Sequence, residues 1–145
     1  MAGVVKPGTK KKRARRERFI GADAMDQRVD AVITFMKTNL HRTLTSVEIA
    51  RSVHLSPSRL RELFRKETGT SVTRYRRKLR LERAKHLLKS TFLSVKEVAA
   101  SVGIDGVSHF VRDFEKAYRI TPARYAARYR KATHAMITQQ NRRFG

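Results

Sequence analysis

Cysteine is absent from the 145 residues. That excludes a disulfide framework and any thiolate metal site, and it fits a reducing compartment. Acidic residues are scarce, 12 against 34 Lys and Arg, so the formal net charge is +22. No apolar run approaches the ~18 residues of a membrane span. The start, Met-Ala-Gly-Val-Val, turns basic without the apolar stretch of a secretory signal. With 3 Pro and 7 Gly, the chain is not of low complexity.

Catalytic signatures are missing too. His41, His54, His86, His109 and His134 form no H-E-x-x-H or similar pair. There is no Gly-rich phosphate loop and no paired-carboxylate signal. An enzyme, a metal site and a cofactor are therefore not expected.

Hydrophobic residues, at 40%, suffice for a packed core. A charge of +22 opposes compaction by self-repulsion. A polyanion relieves that repulsion, and binding phosphates releases counterions. Nucleic acid is the first expectation for a partner, and an anionic membrane surface the second.

Residues 1–24 stand apart as a basic arm. Lys10, Lys11, Lys12, Arg13, Arg15 and Arg16 run almost unbroken, without apolar periodicity. Such a block is expected to be disordered. It either follows phosphates or enters a minor groove, or it is a solvated tail.

From Met25 the spacing turns helical. Val29, Val32, Ile33 and Met36 fall at i, i+3, i+4, i+7, with Asp26 as N-cap. An internal repeat follows. Leu44-Thr45-Ser46-Val47-Glu48-Ile49-Ala50 matches Leu93-Ser94-Val95-Lys96-Glu97-Val98-Ala99 at an offset of 49 residues. Thr45 with Glu48, and Ser94 with Glu97, read as capping boxes, stapled by Leu44–Ile49 and Leu93–Val98. The offset becomes 50 at Phe64/Phe114 and Tyr75/Tyr125, so one supersecondary unit occurs twice with a single insertion.

Each unit is a short capped helix, a tight turn and a second helix. Gly103 suits a left-handed helix exit, and His54 fills the same place less well. In the first copy Ser56 caps the second helix, Pro57 opens it and Gly69 closes it. Its apolar residues are Leu60, Leu63 and Phe64; those of the second copy are Val107, Phe110, Val111, Phe114, Ala117 and Tyr118. Helix, turn and amphipathic helix is the arrangement that reads DNA. Residues 71–89 form a linking helix of about 27 Å. Major grooves on one DNA face repeat every ~34 Å, so such a helix suits two reading heads in adjacent grooves. Thr121 and Pro122 start another helix carrying Tyr125 and Tyr129. Residues 132–145 show no period and are expected to be a tail.

Residues 29–130 resemble the DNA-binding domain of the AraC/XylS transcription regulators. The resemblance rests on Ser56–Gly69, on Arg80–Leu88, and on Gly103-Ile104, His109–Phe114, Thr121-Pro122 and Tyr125 at their mutual spacing. It implies an all-α fold of about seven helices, in two helix-turn-helix subdomains joined by a linker helix: a domain over 25–131, with units at 25–70 and 90–131. It implies a bacterial, cytoplasmic, nucleoid-associated regulator, usually an activator, often touching RNA polymerase. It points to the short stand-alone members, which bind double-stranded DNA as monomers. The lack of Cys argues against the DNA-repair proteins that join this domain to a reactive thiol.

The resemblance places base readout on Ser58, Arg61, Glu62 and Arg65 in the first unit, and on Val107, Ser108, His109 and Arg112 in the second. Arg pairs bidentately with guanine, and Val107 offers only apolar contact, as to a thymine methyl. Glu62 either accepts from cytosine or pairs locally with Arg59 or Lys66. Arg59, Lys66, Arg76, Arg77 and Arg80 are expected on phosphates; the bland reading of each polar position is a solvated helix surface. Asp113, Glu115 and Arg119 depart from the family pattern, so the second copy is expected to grip DNA more lightly. Two other classes remain open: a non-specific nucleic-acid binder and a protein-interaction module.

Overall fold

The computed structural model describes residues 25–144; the basic arm lies outside them. The described residues form seven helices and no strand. They are α1 Gln27–Thr38, α2 Ser46–Arg51, α3 Pro57–Thr68, α4 Val72–Ser90, α5 Val95–Ser101, α6 Val107–Tyr118 and α7 Pro122–Phe144.

Caps set the starts. The Asp26 carboxylate accepts from the Arg28 amide at 2.9 Å and caps α1. Both capping boxes form: Thr45 N–H donates to Glu48 at 2.8 Å, and Ser94 N–H to Glu97 at 2.7 Å. Each box satisfies amides that a helix start leaves without partners. Ser56 caps α3, Pro57 follows it, and Gly69 ends it in a left-handed conformation.

The repeat governs the turns. Leu55 N–H reaches back to Ala50 O at 2.9 Å, and Ile104 N–H to Ala99 O at 2.9 Å. Between them His54 and Gly103 take φ of 57° and 75°. Ile104 keeps the first offset, whereas α6 starts 50 residues after α3. The inserted residue is thus Asp105, and Gly106 (φ 86°) opens α6 without a side-chain cap. Arg119 ends α6 at φ 60°, as Gly69 ends α3.

Two cores result. Val29, Met36, Ile49, Leu60, Phe64 and Leu79 lead the first; Leu81, Leu88, Val98, Val102, Phe110 and Phe114 lead the second. Helix α4 serves both, switching between Leu79 and Leu81. Phe64 meets Tyr75 edge-on at 5.3 Å, and Phe114 meets Tyr125 edge-on at 5.8 Å. The repeat-related aromatic pairs therefore pack at matching places, a geometry rings prefer.

The expected tail at 132–145 is corrected: α7 runs unbroken to Phe144. No Gly or Pro interrupts residues 123–144, and Ala, Arg, Lys and Gln hold the helix by intrinsic propensity. Periodicity was silent there because residues 131–143 are exposed and bury no face.

Candidate DNA interface

The second helix of each unit buries one stripe and presents the other. On α3, Leu60, Leu63 and Phe64 are buried, while Ser58, Arg61, Glu62 and Arg65 are exposed. Their spacing of i, i+3, i+4, i+7 places them on one helix face. On α6, Phe110 and Phe114 are buried, while Val107, Ser108, His109 and Arg112 are exposed. All eight expected reading positions thus face outward, away from the cores.

The charged neighbours distinguish the faces. Arg59 pairs with Glu62 at 3.1 Å, so Glu62 takes the local partner that the sequence left open. Both are exposed, and such pairs contribute little. On α6 the half-buried Asp113 lies 3.5 Å from His109 Nε2 and 4.0 Å from Arg77 on α4. Asp113 therefore sets an acidic group between the second reading helix and the linking helix.

Two of the residues expected on phosphates spend donors within the chain. Arg80 donates from Nε to Leu40 O at 3.0 Å and from its terminal nitrogen to Arg42 O at 3.1 Å. Arg76 also donates to Arg42 O. Burial pushes both guanidinium groups below their usual pKa. Their donors serve the backbone that follows α1, which binds α4 to the first unit. Lys66 and Arg77 remain exposed, as Arg59 does. Lys85 and Lys89, also on α4, lie over the rings of Tyr118 and Tyr129 at 4.8 and 5.0 Å.

The second unit meets this lock at Gly103. A Cβ there would collide with the Leu40 carbonyl and come within 3.0 Å of the Arg80 guanidinium. Only glycine fits the space and the φ of 75° together. A cleft of about 700 Å³ opens beside this contact, lined by Arg61, Arg77, Arg80, His109 and Asp113. The sequence reading missed the lock, although Arg80 and Arg130 share the 50-residue offset. Arg130 likewise turns to a backbone carbonyl, that of Leu93 at 2.9 Å.

Among the described residues no cluster of His, Asp and Glu has the makings of a metal site. No described helix is long and apolar enough to cross a membrane.

Two exposed polar reading helices on one rigid linker define a double helix-turn-helix, DNA-binding class of protein. A family profile for a helix-turn-helix domain matches residues 49–128. The transcriptional activator RhaR of Enterobacter is 32% identical over 111 residues, 77% of this chain and 39% of that protein. The chain thus spans under two fifths of that relative's length. A transcriptional regulator from Chromobacterium violaceum with an AraC-type DNA-binding domain superposes with a TM-score of 0.68 at 28% identity, covering 71% of this chain and 92% of that one. The DNA-binding domain of AdpA, solved with a target DNA, gives 0.67 at 25% identity over 72% and 94%. The chain belongs to the AraC/XylS family of transcription regulators.

Proposed function

We propose that the chain is a sequence-specific transcription regulator that sets α3 and α6 into adjacent major grooves of one DNA face. The carrying observation is the pairing of two outward-facing helices across α4, a continuous helix whose 19 residues span about 28 Å. That length suits the ~34 Å groove repeat. Arg61 and Arg112 are the principal base readers, with Ser58, Arg65, Ser108 and His109 beside them. Arg77 and Lys66 flank phosphates, and the arm from Lys10 to Arg16 adds a sequence-independent grip.

Activation is the direction of control that the name of RhaR supports. It requires contact with the transcription machinery, so RNA polymerase is the proposed protein partner, with one copy of the chain on each site. The charge of +22 favours a second reading, binding to phosphates alone. Arg61→Ala separates the two on a panel of duplexes. Base readout lowers affinity on the preferred sequence by about 1–3 kcal/mol and relaxes preference at one position. An even loss over all sequences would overturn the proposal.

A further inference from the structure

The repeat extends past the second unit. Helix α7 starts 50 residues after α4 and occupies the same place in its own unit. In the first unit, the flank of α4 beyond Arg80 carries Leu81, Ala84 and Leu88, and the second unit packs on it. The equivalent flank of α7 beyond Arg130 carries Lys131, His134 and Thr138, with Ile137 in the place of Leu87, and it faces solvent. At its base lies a groove of about 590 Å³ between α7 and the Thr91-Phe92 loop. Phe92 is 88% exposed and Ile137 53% exposed. Neighbouring Met136 is 70% exposed.

Three observations describe what fits there. The position is the counterpart of a protein–protein contact within this same chain. Its walls are largely apolar, and a contiguous exposed apolar patch marks an interaction site. Its rim is cationic: Lys89, Arg130 and Lys131 line it beside His134, and no acid does. Arg130 keeps one end of its guanidinium on Leu93 O and lies over the Phe92 ring at 5.9 Å, so a cation stands beside the apolar wall.

We infer that this groove docks a segment of another protein, one that presents a bulky apolar side chain beside Asp or Glu. The apolar group packs on Phe92 and Ile137, and the carboxylate meets Arg130 and Lys131. The chain's own residues 1–24 lack the charge to fill it, since their acids are only Glu17 and Asp23 among many Lys and Arg. A second copy is disfavoured by the same sign of charge. The groove is separate from the reading faces of α3 and α6, so the inference stands independently of which DNA is read.

A displayed library of random dodecapeptides, panned against the full chain with excess non-specific duplex DNA present, tests this. The expected result is enrichment of peptides that join an aromatic or Leu to acids. Synthetic copies of them should bind about tenfold or more weakly to Phe92→Ser and to Ile137→Ser. Both sites are exposed, so unchanged thermal midpoints are expected for these variants. Amide NMR shifts on adding the peptide should fall at Thr91–Phe92 and Arg130–Ile137. No enrichment, equal binding to both variants, displacement by the duplex, or shifts confined to α3 and α6 would each overturn the inference.

Discussion

Arg80 on α4 donates to the carbonyl of Leu40, 40 residues earlier, at a place where Gly103 of the second unit closes over both. One side chain therefore joins the first unit, the linking helix and the second unit. Charge-assisted bonds of this kind are about twice as strong as neutral ones. Their directionality holds α4 against the segment that follows α1.

Arg80→Ala leaves the Leu40 carbonyl without this donor and the Arg42 carbonyl with Arg76 alone. A stability loss of about 1–3 kcal/mol is expected, readable by urea denaturation. Looser spacing is the more specific outcome. The variant should tolerate one base pair added between the two half-motifs better than the parent does. Arg80→Lys should not restore the parent behaviour, because one ammonium cannot reproduce the planar fork.

The two left-handed exits of the second unit, at Gly103 and Arg119, predict opposite results. Gly103→Ala meets the Leu40 carbonyl and a φ of 75°, so it should destabilise by more than the roughly 1–2 kcal/mol of the backbone strain. Arg119 takes φ of 60° with its side chain exposed. Arg119→Gly should relieve that strain, less the entropy glycine adds to the unfolded chain, a net gain of up to about 1 kcal/mol. Thermal melting of the two variants should move the midpoint in opposite directions.

Phe114→Ala should cost about 3–5 kcal/mol, because the ring is fully buried between Phe110, Tyr118 and Tyr125. Phe64→Ala should fall in the same range, since Phe64 is fully buried and holds the matching place. Chemical denaturation of both variants checks the equivalence of the units.

The pH dependence has two limbs. Backbone and hydroxyl donors of Thr45 and Ser94 hold Glu48 and Glu97 below the ordinary glutamate value of 4.5. A lowered folded pKa gives stability that is present above 4.5 and is lost as pH falls through the folded value. Glu48→Gln with Glu97→Gln should flatten that acid limb of the melting curve. At the other end, burial first and a hydrogen bond with Tyr129 second push Tyr125 up to about 12. A raised folded value gives stability that is present below 10 and lost as pH rises through about 12. Ultraviolet titration of the tyrosines should show a late component that Tyr125→Phe removes.

The helices, caps and cores were legible because each leaves a local mark. Thr45 and Glu48 are three residues apart, and Leu60, Leu63 and Phe64 keep a helical period. The outward facing of Arg61 and Arg112 follows from the same periods. Arg80 was not legible, since a guanidinium bound to a distant carbonyl has the same spacing as one bound for phosphate. Only its recurrence as Arg130 carried a signal. The continuation of α7 through 132–144 was hidden for the opposite reason: an exposed helix needs propensity but no pattern.

The central claim is that one rigid chain reads two neighbouring grooves in sequence-specific fashion. Selection from random duplexes at physiological salt tests it most directly. The expected pool holds two short enriched motifs at one fixed separation of about one helical turn, 10–10.5 base pairs between centres. One motif should weaken in Arg61→Ala and the other in Arg112→Ala. A pool that enriches no motif, or half-motifs at freely varying separation, would contradict it.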